Sequence, residues 1–146
     1  MDRGVAVILT AVVGGLVALQ APINSGLGKQ VGSLPAALVS FGLGTLILLV
    51  IVIASGDTEG LRSTFDVRWY YLIGGLLGAA YVTVALLSVR TIGAGGVAAA
   101  TITGQLTTAV VIDRLGVLGL QQVPFTTTRV VGIALLLAGT FLVVRS

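Results

Sequence analysis

Long uncharged apolar runs, punctuated by isolated charges, set the pattern of this chain. Twenty-five uncharged residues separate Arg3 from Lys29, 27 separate Lys29 from Asp57, 21 separate Arg68 from Arg90, and 22 separate Arg90 from Asp113. A helix needs about 20 apolar residues to cross the hydrocarbon of a bilayer, so the spacing predicts spans over residues 4–24, 33–54, 69–88 and 95–112. A fifth span is expected over residues 128–144. Its apolar run, Val130 to Val144, has 15 residues between Arg129 and Arg145, enough if both arginines snorkel or the helix begins near Thr126. Residues 115–128 hold glycines, two glutamines and Pro124, so an interfacial or re-entrant connection is expected there. The predicted fold is all-α: one transmembrane domain of five helices over residues 1–146.

Composition strengthens the membrane reading and removes most chemistry. The 146 residues are 56% hydrophobic and 9% charged, with a mean hydropathy of +1.13, whereas soluble domains carry about 25% charged residues. There is no Cys and no His, which removes thiol chemistry, disulfides, haem ligation and the usual zinc sites. Five carboxylates remain. No enzyme, cofactor or metal site is expected. The net charge of +3 and pI near 10 do not point to nucleic acid, because the basic residues are isolated and mostly flank apolar runs. They anchor the chain in a lipid bilayer.

Local signals place the boundaries. Ser33 can cap the second helix, with Pro35 in the first turn where a missing N–H costs nothing. Arg68 and three aromatics in "VRWYY" mark a headgroup level at the start of span three. The weak basic start Met1-Asp2-Arg3 and the lack of a small residue before "QA" argue against signal-peptide cleavage, so the first helix is expected to stay. With five spans, Arg3, Arg62, Arg68, Arg114 and Arg129 share one side, against Lys29, Arg90 and Arg145 on the other. This bias nominally puts the N-terminus inside and is small enough for both insertions to occur.

Five helices give too little surface to enclose a substrate path. An inverted copy would complete a ten-helix body with a site near the midplane, as inverted repeats do in many secondary transporters. Gly74 and Gly78, and Ala134 and Ala138, have the small-xxx-small spacing that lets helix backbones approach.

Polar side chains inside spans are costly and become candidates for function. The stretch "ALQAPINSGLGKQVGS" (Ala18 to Ser33) sets Gln20 and Asn24 around Pro22. If the first helix continues, Pro22 leaves the Ala18 carbonyl without its donor and Gln20 and Asn24 share a face; if it stops at Ala21, they form a polar turn. In span four, Thr101, Gln105 and Thr108 fall within an arc of about 60°. They either line a substrate path or glue two helices together. Asp113 ends span four beside Arg114, as a neutralised headgroup carboxylate or as an ion or proton site. Tyr81, midway along span three, packs with one hydrogen bond or contacts substrate. No charged residue lies mid-span, which disfavours coupling through a central acid.

"GLVALQAPINSGLGKQVGSLPAALVSFGLGT" (Gly15 to Thr45) and "TGQLTTAVVIDRLGVLGL" (Thr103 to Leu120) resemble the YdcZ-type inner-membrane family of the drug/metabolite transporter superfamily, over nearly the whole chain. The resemblance implies a multi-pass protein of the bacterial inner membrane. It also implies an exporter of small molecules acting as an antiparallel pair: two copies of one dual-topology chain, two related chains, or a fused tandem. Gln20, Asn24, Ser40, Gln105 and Asp113 carry over as site or structural residues without assigned roles. Ala21 stands where a second proline is expected, and Arg114 where the family often shows His, which puts a titrating role near Asp113 in doubt. The related small multidrug exporters have four helices and a central glutamate with no counterpart here. A cation exporter of that kind is the second reading; a non-transporting assembly partner is the third.

Overall fold

The computed structural model describes residues 2–118 and 121–145. Its elements are α1 (Arg3–Val31), α2 (Ser33–Ser55), the short α3 (Thr58–Ser63), two 3₁₀ turns (Thr64–Asp66 and Trp69–Ile73), α4 (Gly74–Leu115) and α5 (Thr127–Arg145). No strand occurs among the described residues.

Among the described residues four helices are long and apolar enough to cross a membrane: Arg3–Val31, Ser33–Ser55, Trp69–Leu115 and Thr127–Arg145. The third has 47 residues and would run about 70 Å at 1.5 Å per residue, more than twice the roughly 30 Å of hydrocarbon. Gly93 interrupts it, with φ 68° and ψ 170°. It divides α4 into helical segments 74–92 and 94–115, which overlap the stretches expected over 69–88 and 95–112, residues 69–73 forming the second 3₁₀ turn instead.

The helix ends follow from single residues. α1 continues through Pro22 to Val31, so of the two courses open at Ala21 the chain takes the helical one, and the span expected to end near residue 24 gains two turns. Gly32, at φ 93°, breaks the helix and is itself the cap of α2. This corrects the assignment of the cap to Ser33, which is the first helical residue; the Gly32 carbonyl accepts from the Ala36 N–H. Gly56, at φ 75°, closes α2. The N–H of Gly56 reaches the Ile53 carbonyl, and that of Asp57 reaches Val52, in the manner of a Schellman end.

The residues expected to anchor at headgroups lie beside helix ends. Arg68 Nη1 donates to the Tyr70 hydroxyl at 3.0 Å, and the Tyr70 ring meets Trp69 edge-on, with centroids 6.2 Å apart, and Tyr71 at a tilt, with centroids 4.5 Å apart. Thr126 caps α5: the Arg129 N–H reaches both its carbonyl and its Oγ1. The last helix thus begins where its short apolar run required. At its other end, the Arg145 guanidinium lies 5.6 Å from the Phe141 ring centroid. The connection expected over residues 115–128 is non-helical at the described residues between Leu115, which ends α4, and Thr127, which begins α5, while Gly119 and Leu120 lie outside them.

The chain forms two compact units, Leu19–Arg90 and a second made of Met1–Ala18 with Thr91–Ser146. In the first, Ala37, Val82 and the fully buried Leu86 form a core, with Phe41 and Tyr81 packed against it. α1 presents Ala21, Asn24, Ser25 and Gly28 as its buried face, a spacing of three and four residues that makes one helical stripe. A Cβ at Gly28 would lie 3.7 Å from the Ala36 Cβ, and one at Gly78 would lie 3.2 Å from the Phe41 ring. Gly78 thus faces the Phe41 side chain, whereas a Cβ at Gly74 would meet nothing within 4 Å among the described residues. In the second unit, the buried residues of α4 are Gly96, Val97, Thr103 and Val110.

The dihedrals of Gly93 lie in a region essentially restricted to glycine, where another residue costs on the order of 1–3 kcal/mol. Gly93→Ala is expected to lower the thermal unfolding midpoint followed by circular dichroism in detergent. Gly104→Ala, in helical backbone with open space around it, is expected to leave that midpoint unchanged or raise it.

Candidate functional site

The Leu19–Arg90 unit gathers Gln20, Asn24 and Tyr81. Together with Ala21, Val82 and Ala85 they line a narrow crevice between α1 and α4, with no room for a water. Gln20 and Tyr81 are half-buried, while Asn24 is only 5% exposed. Its Nδ2 is buried without a hydrogen-bond partner. A buried donor left unpaired costs about 1–3 kcal/mol and is rare enough in native proteins to call for a reason. Ser40, half-buried on α2 one position before Phe41, does not line this crevice.

The polar residues of α4 behave differently. Thr101 is half-buried, and Gln105 and Thr108 are exposed, so this stripe is not the buried face of its unit. That face holds Thr103, 7% exposed, some 200° around the helix from both Thr101 and Gln105. Thr103 Oγ1 and Thr140 Oγ1 on α5 are 2.6 Å apart, and both hydroxyls reach the Ala99 carbonyl, at 2.9 and 3.1 Å. This polar cluster is closed on itself. Sequence reasoning passed over Thr103 because its neighbours two positions either side formed a more polar stripe.

Asp113 has a different partner from the one expected. Its Oδ2 accepts from Arg129 Nη1 at 3.0 Å, with both side chains about a third exposed (34% and 33%). Arg129, sixteen residues away, takes the place assigned to the neighbouring Arg114. The Asp113 carbonyl also accepts from the Val123 N–H at 2.9 Å, so this residue ties the connecting segment to both flanking helices.

Two further residues escaped the sequence reading. Arg90 Nε donates to Ser25 Oγ at 3.1 Å, and Nη2 to the Ser25 carbonyl at 3.4 Å. Arg90 is thus a bridge to α1, not solely a span-end anchor. The signal was the recurrence of small residues at Ala21, Ser25 and Gly28, in phase with Asn24. No group of three or more potential metal-ligating side chains occurs among the described residues.

The family model described as "Putative inner membrane exporter, YdcZ" matches residues 5–142, all but the first four and last four residues. The chain belongs to this family. No curated protein and no solved structure matches it. The crevice residues Gln20, Asn24 and Tyr81, the Asp113–Arg129 pair and the Thr103 cluster all fall within the matched region.

The two partnered clusters generate stability predictions. A half-exposed ion pair contributes about 0–1 kcal/mol, so a double-mutant cycle on Asp113→Asn and Arg129→Gln, read by chemical unfolding in micelles, is expected to return a coupling no larger than that. The corresponding cycle on Thr103→Val and Thr140→Val is expected to return about 0.6 kcal/mol, the average for interhelical hydrogen bonds in a membrane.

Proposed function

We propose that this exporter-family chain is a secondary transporter built as one half of an antiparallel pair, and that Asn24 is the principal polar contact for a small neutral or amphipathic solute. The observation that carries the reading is the unpartnered Asn24 amide, buried beside Gln20 and Tyr81. An amide used only as helix glue would be bonded to a neighbouring helix, as the Thr103 hydroxyl is. One kept for a ligand pays its desolvation cost in the empty state and recovers it on binding. The crevice must widen to admit a solute, which accords with alternating access in which helices rock around a fixed site.

Two observations support the pairing. Division of α4 at Gly93 gives five segments of span length, an odd number, so two copies in opposite orientations place equivalent surfaces against each other. The most apolar window of α5 has none of its residues buried within the chain, leaving that helix available to lipid or a second subunit. In this arrangement Thr101, Gln105 and Thr108 face the second copy or the solute path, and Ser40 supports the helix that carries Phe41. Asp113, already paired with Arg129, holds the connecting segment and is not the coupling group.

Asn24→Leu keeps the approximate volume of the side chain and removes the unpaired donor. It is expected to abolish solute flux in proteoliposomes and to leave the unfolding midpoint unchanged or higher. A variant that loses stability and self-association together would return Asn24 to a packing role. Cysteine cross-linking of copies tagged at opposite faces is expected to trap antiparallel pairs; a single uniform orientation with no self-association would instead support a non-transporting assembly partner.

A further inference from the structure

We propose that the groove between Lys29 and Arg90 binds a phosphate-bearing anion: the headgroup phosphate of an acidic phospholipid, or phosphate free in solution. The groove has a volume of ≈ 350 Å³ and is lined by Pro22, Ser25, Gly26, Lys29, Val89 and Arg90. It is separate from the Asn24 crevice and does not depend on the transport reading.

Charge is the first argument. Lys29 and Arg90 bring two positive charges to one groove whose lining contains no carboxylate. The one salt bridge among the described residues joins Asp113 and Arg129, so neither groove cation has an acidic partner there. The C-terminal end of α1 contributes the equivalent of about half a negative charge, too little to balance two cations. An anion is the missing component.

Geometry is the second. Arg90 is held in place, with Nε on Ser25 Oγ and Nη2 on the Ser25 carbonyl, and Nη1 has no hydrogen bond among the described residues. A guanidinium fixed on one edge presents its remaining donors in the planar fork suited to phosphate. Gly28 makes this placement possible, because a Cβ there would lie 2.9 Å from Arg90 Nη2. Ser25 is 4% exposed; its hydroxyl oxygen accepts from Arg90, which leaves its hydrogen free to donate. Lys29 adds a mobile ammonium from the last turn of α1.

Position is the third. Both cations end apolar runs, Lys29 after span one and Arg90 after span three, and the Ser25 contact sets the two ends beside each other. That is headgroup depth, where basic pockets between helices collect acidic lipid headgroups.

The full-length protein in nanodiscs of phosphatidylcholine, with and without phosphatidylglycerol, provides the test. Bound lipid is read by native mass spectrometry, and unfolding is measured with inorganic phosphate or chloride at matched ionic strength. Selective retention of phosphatidylglycerol assigns the site to a lipid. Stabilisation by inorganic phosphate over chloride assigns it to a free anion. Lys29→Gln, an exposed position without internal bonds, is expected to weaken the preferred ligand about fivefold, equivalent to the roughly 1 kcal/mol of one basic residue at an anionic surface. Gly28→Ala keeps both charges and displaces the guanidinium, and is expected to weaken binding comparably. No preference in either arm overturns the proposal. So does undiminished binding in both variants, which would reduce the attraction to diffuse surface charge.

Discussion

The Leu19–Arg90 unit depends on how closely other helices can approach the small-residue face of α1. Between helices in lipid there is no hydrophobic driving force, since the acyl chains are as apolar as the side chains, and association rests on van der Waals contact and interhelical hydrogen bonds. Ala21, Ser25 and Gly28 provide that contact by having almost no side chain. Ala36 can then lie against Gly28, and Val82 and Ala85 stand beside Ala21 at the crevice wall. The same lack of bulk lets the Arg90 guanidinium reach the Ser25 carbonyl. A single stripe of small residues thus positions both the apolar core and the polar groups around it.

Low bulk also explains why Asn24 is left without a partner. It occupies the same buried face as Ser25, one residue earlier, and of the crevice residues around it Ala21, Val82 and Ala85 offer no side-chain acceptor, while neither Gln20 nor Tyr81 bonds its Nδ2. Thr103 faces the contrary situation, with Thr140 and the Ala99 carbonyl in reach. Both polar groups are buried, yet only one has been satisfied by the fold. The difference lies in what the neighbouring helix carries, and it separates a group that closes a structure from one that remains available.

The fold was legible in the sequence because it follows from length and charge spacing. Span-length uncharged runs can hardly be anything but membrane helices, and the Thr126 start of α5 fell where its short apolar run put it. The helix ends were less legible. Pro22 suggested an interruption, but a helix in a packed face tolerates the one lost hydrogen bond, and the break waits for Gly32, where φ 93° excludes most other residues. The grouping of Gln20 with Asn24 could be read because they are four residues apart on one helix. The partnerships of Asp113 with Arg129 and of Arg90 with Ser25 could not, being sixteen and 65 residues apart. Periodicity reports which side chains share a face. It does not report what the face meets.

The distribution of charge bears on which of the three functional readings the chain favours. A cation exporter of the small multidrug kind needs an acidic group at membrane depth to hold its cargo or exchange it for protons. Here the carboxylate nearest a span is Asp113, and Arg129 already occupies it. The Leu19–Arg90 unit offers a buried amide nitrogen without a partner and a groove that holds two cations, which attract neutral hydrogen-bonding solutes and anions and repel cationic cargo. An assembly partner needs no free polar group, since its faces would be satisfied by the subunit they meet. A buried amide without a partner, beside an amide and a phenol, is what an uncharged or amphipathic solute would meet in the proposed transporter.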